Sequence, residues 1–157
     1  YERVTYFGRG PQENYSDRRD GVFLGTWNTS ASGMMFDYVY PQENGNRTDV
    51  RWISMTDLQG RGIQFLGMEP LSVSVWNTTQ EELHKAMHIG EPKMLRDAFV
   101  INVDHVQTGV GGTNTWNQNA RPSDQYRLME KNYSYSFYIR TVKSRADAIS
   151  AGRRLCR

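Results

Sequence analysis

Carboxylates and amides recur side by side in this chain. The tetrapeptide Pro-Gln-Glu-Asn stands at 11–14 and again at 41–44, and Arg47 follows the second copy closely. Glu13, Asn14, Glu43 and Asn44 could in principle hold a water, move a proton or orient a ligand. The competing role is mechanical: such side chains hydrogen-bond loop backbone, with Arg47 or Arg51 as counter-charge. Polar turn residues flank both copies, which favours bracing over chemistry. His84 and His88 stand four apart, the spacing of two metal ligands on a helix. A zinc site needs a third ligand and usually a fourth position, and neither Glu81 nor His105 is tied to the pair, so a surface histidine pair and no metal are expected. Four Asn-X-Ser/Thr matches, beginning at Asn28, Asn46, Asn77 and Asn132, carry little weight in so Asn-rich a chain.

The elements that would position these residues read as short strands. Val22–Trp27, Met34–Tyr40 and Val50–Thr56 are aromatic or β-branched runs. Asp57-Leu-Gln-Gly60 is a turn signal, with Gly62–Gly67 as its return strand. Leu71, Val73 and Val75 alternate on one face, as do Phe99, Ile101 and Val103, and then Tyr133, Tyr135, Phe137 and Ile139. Trp27, Trp52 and Trp76 fall within strand patterns and are expected in the core. Thr79-Gln-Glu-Glu82 has capping-box spacing and predicts one short inserted helix, with Leu83 and Met87 on one face and Pro92 as its limit. Ser144–Arg154 is weakly amphipathic, so 141–157 reads as a basic tail, helical or disordered. The two Pro-Gln-Glu-Asn copies have different flanks and read as similar loops, not as a structural repeat.

The chain has 157 residues, enough for one domain with a real core. Mean hydropathy is -0.71, so that core must come from few but large residues. Net charge is +2, but from Arg140 onward six Lys or Arg face one acid, Asp147, a local balance of +5 that leaves -3 for the rest. A basic tail alone is poor evidence for nucleic acid, and none is expected as a partner. No apolar run reaches the roughly 20 residues of a membrane span, so no membrane is expected either. Cys156 is the single cysteine, which excludes an intrachain disulfide and leaves the compartment open between cytoplasm and periplasm. A start at Tyr1 rather than Met suggests an excised piece of a longer protein.

Three motifs in order carry a resemblance. Tyr-Phe-Gly-Arg-Gly-Pro-Gln-Glu-Asn-Tyr-Ser-Asp-Arg (6–18), Pro-Gln-Glu-Asn-Gly-Asn-Arg-Thr-Asp-Val-Arg-Trp (41–52) and Gly-Val-Gly-Gly-Thr-Asn-Thr-Trp (109–116) resemble the C-terminal, small-chain domain of large β-galactosidases of glycoside hydrolase family two. The likeness runs over 1–140, about the C-terminal half of that family's domain. It implies an all-β fold, an antiparallel β-supersandwich related to aldose mutarotases. It also implies that the two catalytic glutamates, and the Mg²⁺ and Na⁺ the family often uses, sit on other domains. No catalytic residue and no cofactor is therefore assigned within this chain.

What the resemblance does carry over is a tryptophan at the mouth of the active site, here Trp116, with Asn114 beside it as a second substrate contact. An indole offers a flat apolar face to the C–H face of a sugar ring, and Gly109, Gly111 and Gly112 permit a tight loop before it. Glu13, Asn14, Glu43, Asn44, Arg47, Gly111 and Gly112 are expected to brace that loop. Two departures from the family pattern stand out: Ser16 where Pro is usual, and Thr113-Asn114-Thr115 where two acids and a Ser often precede the Trp. The implied partners are a galactoside, the catalytic barrel of the same enzyme and further copies of the chain. Two other functions remain open: a free-standing carbohydrate-binding β-sandwich, or a mutarotase-like enzyme built on His105.

Overall fold

The computed structural model describes residues 1–112 and 120–155. In chain order the elements are β1 (Arg3–Gly10), β2 (Phe23–Ser30), α1 (Ala31–Met34), β3 (Arg47–Thr56), β4 (Gly62–Trp76), α2 (Gln80–Lys85), β5 (Val100–Asp104), β6 (Phe137–Val142) and α3 (Arg145–Leu155). All six strands form one antiparallel sheet in the order β2-β1-β3-β4-β5, with β6 also paired to β4. The fold is all-β and antiparallel, as the alternating runs predicted.

The two runs around Leu71 and Gly62–Gly67 are a single 15-residue strand. Its first half pairs with β6 from Gly62 to Gly67, and its second half pairs with β5 from Ser72 to Trp76. Pro70 lies in the interval between those two ladders, where its missing N–H costs no sheet bond. On the other side, the β3 register slips between the Val50–Leu71 and Trp52–Leu66 pairs, which marks a bulge at the same place.

One sheet face carries the core. Val4, Tyr6, Val50, Ile53, Met55, Leu71, Val73 and Val75 are buried there, closed at one end by Ala31 and Met34 of α1. Trp52 and Trp76 are buried as expected, and Trp27 packs half-buried at the core's edge. Towards β5 and β6 the cover thins: Phe65, Ile101, Val103 and Phe137 are only half-buried. The opposite face is covered by α3. Ser144 Oγ accepts the Asp147 amide at 3.1 Å and starts the helix. Asp147 then takes Arg140 Nη2 at 2.8 Å, Arg140 Nη1 reaches Gln64 Oε1 at 2.9 Å, and Gln64 Nε2 donates to the Ala148 carbonyl at 2.8 Å. Residues 145–155 of the basic tail are thus an ordered helix held by a polar chain.

Three details differ from the sequence reading. Met34–Tyr40 is not a strand: Met34 closes α1, and the segment after it is loop, because its backbone is taken by loop partners and not by a neighbouring strand. The Thr79 cap forms, with Oγ1 accepting the Glu82 amide at 3.1 Å, but α2 ends at Lys85, well before Pro92. Met87 therefore leaves the Leu83 face and is exposed. The final strand begins at Phe137, and Tyr133, Tyr135 and Ile139 are exposed, so the alternation there does not mark a buried face.

Gly152 presses against the Trp52 indole so closely that a Cβ would overlap the ring. Replacing Gly152 by Ala forces either the helix or a buried indole to move. The expected cost is about 2 kcal/mol, read as a lower urea midpoint at unchanged m-value; an unchanged midpoint would mean that α3 does not rest on the sheet.

Candidate functional site

The loops leaving β1 and entering β3 bring the two Pro-Gln-Glu-Asn phrases together. Asn14 is fully buried, at 0% exposure. Its Nδ2 donates to the carbonyls of Arg9 at 3.1 Å and Gln12 at 3.0 Å. Its Oδ1 accepts Thr48 N at 2.9 Å and Thr48 Oγ1 at 2.5 Å. The Asn14 amide donates to the Asn46 carbonyl at 2.8 Å, and Asn46 Nδ2 returns to the Asn14 carbonyl at 2.9 Å. Asn44 repeats the local part of this pattern, with Nδ2 donating to the Gln42 carbonyl at 2.9 Å. Its Oδ1 accepts Phe36 N at 3.0 Å, and its own carbonyl accepts Trp76 Nε1 at 2.9 Å. The repeated tetrapeptide thus makes the same turn twice, each Asn amide bonding back to the Gln two residues before it.

Glu13 joins the phrases electrostatically. Its Oε2 accepts Gly45 N at 2.8 Å, while Oε1 accepts Arg18 Nη2 at 2.6 Å and the Tyr38 hydroxyl. Gly45 has φ +74 and lies against the Met34 carbonyl, so no side chain fits there. The counter-charge of Glu13 is Arg18, and not Arg47 or Arg51. Arg47 is buried, and its guanidinium serves carbonyls: Nε donates to Pro11 O at 3.0 Å and Tyr6 Oη at 3.2 Å, and Nη1 to Gly45 O at 2.8 Å. Burial raises the pKa of Tyr6, partly opposed by the adjacent Arg47. Burial, with repulsion from Glu13 and Glu43, also raises that of Tyr15.

Glu43 behaves differently. It makes no hydrogen bond among the described residues and keeps a solvent-facing edge. Partial desolvation, then the charges of Asp104 and Glu13, push its pKa up to about 7. That brings an acid of the second phrase, a strand-end acid of β5 and an acid of the first phrase into one electrostatic neighbourhood.

Asp17, four residues beyond Glu13, was not singled out from sequence. Its Oδ1 accepts Val110 N at 3.0 Å and its Oδ2 accepts Gly111 N at 2.7 Å. The Gly109 amide donates to the Tyr126 carbonyl at 2.8 Å, and Gly112 lies against the Ala120 carbonyl. The base of the glycine-rich loop is therefore gripped by the first phrase. The one available signal was its place inside Tyr-Ser-Asp-Arg, where a carboxylate sits within a tight turn closed by Tyr15 and Arg18. The Ser16 hydroxyl in that turn is buried without a partner among the described residues. Asn114 and Trp116 lie outside the described residues.

His84 and His88 form no metal cage; His88 Nδ1 pairs with Glu91 at 3.0 Å, and no group of three potential metal ligands occurs among the described residues. His105 stacks on Tyr135 at 5.5 Å with its Nδ1 buried and unpartnered, so no carboxylate stands ready to work with it among the described residues.

The antiparallel sheet thus carries two loop phrases that cross-brace each other and hold the base of a third, glycine-rich loop. Residues 1–139 match the family described as beta galactosidase small chain, and the chain belongs to that family. It is 33% identical over 143 residues to a β-galactosidase of Priestia megaterium, covering 90% of this chain and 14% of that protein. It is 35% identical over 144 residues to one from Halalkalibacterium halodurans, again covering 90% and 14%. A β-galactosidase of Vibrio cholerae matches at 33% over 141 residues, with 90% and 13% covered. The chain thus spans about a seventh of the length of these relatives.

Replacing Asn14 by Ala removes four side-chain bonds in a dry site and leaves several backbone groups without partners. Unfolding should be easier by about 3 kcal/mol, against about half that for Asn44→Ala, as measured by urea denaturation. Glu43 gives a pH signature. Its folded pKa lies above its unfolded value, so the folded state binds the extra proton between about pH 4.5 and 7. Stability is therefore lost as pH rises through that window and stays lower above it. Glu43→Gln should raise stability above pH 7 by about 1 kcal/mol after solvent screening and do nothing near pH 4; thermal melts across pH would show it.

Proposed function

We propose that this chain is the non-catalytic, C-terminal part of an enzyme that hydrolyses terminal β-galactosides such as lactose. Its role is to shape the active-site mouth and support the assembly. The observation that carries this reading is the family match over 1–139, combined with a span of only 14% of the first relative's length.

The grip of Asp17 on the glycine-rich loop supports a division of labour. Residues 109–112 lead directly to Asn114 and Trp116, which on this reading meet the galactoside. Rigid positioning of such a loop is what converts an exposed indole into a dependable contact. The acid and nucleophile, and any Mg²⁺ or Na⁺ the enzyme needs, belong to its other parts. The half-buried strip of Phe65, Ile101, Val103 and Phe137 suits a second layer of the supersandwich, supplied by the same enzyme. Further copies of the enzyme complete the assembly.

The test is kinetic. Joined to the catalytic part, the chain should support lactose hydrolysis; alone it should hydrolyse no galactoside. Asp17→Ala in the whole enzyme releases two backbone bonds at the loop base and should raise KM about fivefold with kcat little changed. Turnover by the isolated chain, or complete loss of kcat in a folded Asp17→Ala enzyme, would contradict the reading.

A further inference from the structure

Beside the cross-braced phrases, between β1, β2 and α1, lies a cleft of about 410 Å³, within the range of small-ligand sites. Arg47 lines it and is only 3% exposed. Buried cations are ordinarily matched by an anion, because stripping water from a charge costs several kcal/mol. Arg47 has no such match among the described residues. Its Nε and Nη1 serve carbonyls and the Tyr6 hydroxyl, and Nη2 donates to nothing among the described residues. Loop bracing accounts for two of its nitrogens and leaves the third unused.

The one acid on the wall among the described residues is already spent. Both oxygens of Glu13 are taken, by Gly45 N on one side and by Arg18 and Tyr38 on the other. The ionisable side chains around the cleft, apart from tyrosine, are Glu13, Arg18 and Arg47, a net charge of +1. A singly negative ligand balances that charge. A dianion would exceed it and meet Glu13, and a neutral ligand would leave Arg47 unmatched.

The remaining lining limits the body of the ligand. Trp27 turns its N–H away to the Gly8 carbonyl at 3.1 Å, so what it has left for the cleft is apolar ring. Gln12 is exposed with its side-chain amide uncommitted among the described residues. Thr29 stands on the same face of β2 as Trp27, and its hydroxyl donates to nothing among the described residues. Apolar ring beside a free amide and a free hydroxyl suits a molecule with C–H faces and hydroxyl edges.

We propose that this cleft binds a small polyhydroxylated monocarboxylate, a sugar acid. Its carboxylate accepts from Arg47 Nη2, its C–H face lies on Trp27, and its hydroxyls meet Gln12 and Thr29. The site is separate from the glycine-rich loop and does not depend on the parent enzyme's activity.

Gluconate is the probe, with glucose and acetate as the neutral and hydroxyl-free arms, titrated into the purified protein. Tryptophan fluorescence and the side-chain amide resonances of Gln12 report binding. Gluconate should saturate at millimolar concentration, at least about tenfold tighter than either control. Arg47→Met should abolish binding. Because that variant could fail to fold, Gln12→Glu is the second: Gln12 is exposed and its side chain bonds nothing among the described residues, so the change adds a negative charge at the rim and should weaken gluconate about tenfold in a folded protein. Equal affinity for glucose and gluconate, equal affinity for acetate, no saturation, or indifference to Gln12→Glu would each overturn the proposal.

Discussion

The buried amide of Asn14 is the constraint on which the rest of the site depends. It is flat, carries two donors and an acceptor, and has no water to satisfy them. It must therefore find protein partners, and it finds them on both phrases: Arg9 and Gln12 before it, Thr48 across from it. That single demand ties the exit of β1 to the entry of β3. A network of this kind is costly if one member is missing and specific when all are present. Glu13, Gly45 and Arg47 extend the same closure outward, which is why two loops far apart in sequence behave as one rigid corner.

The corner also serves what lies beyond it. Through Asp17 it holds the start of the glycine-rich loop, and through Glu13 it meets the acids of Glu43 and β5. On the other side of the sheet, rigidity comes from a different device. The Gln64, Arg140 and Asp147 chain docks α3, and Gly152 lets it sit directly on Trp52. The two faces are thus unequal: one carries a helix of its own, and the other thins towards β5 and β6. Such asymmetry is what a domain embedded in a larger enzyme would present, with its less covered face turned towards the rest.

Periodicity made much of the fold legible. Leu71, Val73 and Val75 point into the core because strand alternation leaves little choice once one face is dry. The Thr79 cap formed because its spacing is local and needs no tertiary partner. Met34–Tyr40 was misread for the opposite reason: an aromatic run resembles a strand only if a neighbour pairs with it, and here Asn44 takes the Phe36 amide instead. Similarly, Tyr133, Tyr135 and Ile139 alternate correctly but stay exposed among the described residues.

Sequence alone determined the family motifs, the strand-rich architecture and the one helix cap, since each follows from residue types at short range. It could also show that Pro-Gln-Glu-Asn occurs twice. Only the tertiary structure decided what the repeat does, because the partners of Asn14 and Glu13 lie some thirty residues away. It decided, too, that Arg18 and not Arg47 neutralises Glu13, and that Asp17 holds the glycine-rich loop. Charge pairing and loop contact are properties of distance in space, and hydrophobic periodicity carries no record of them.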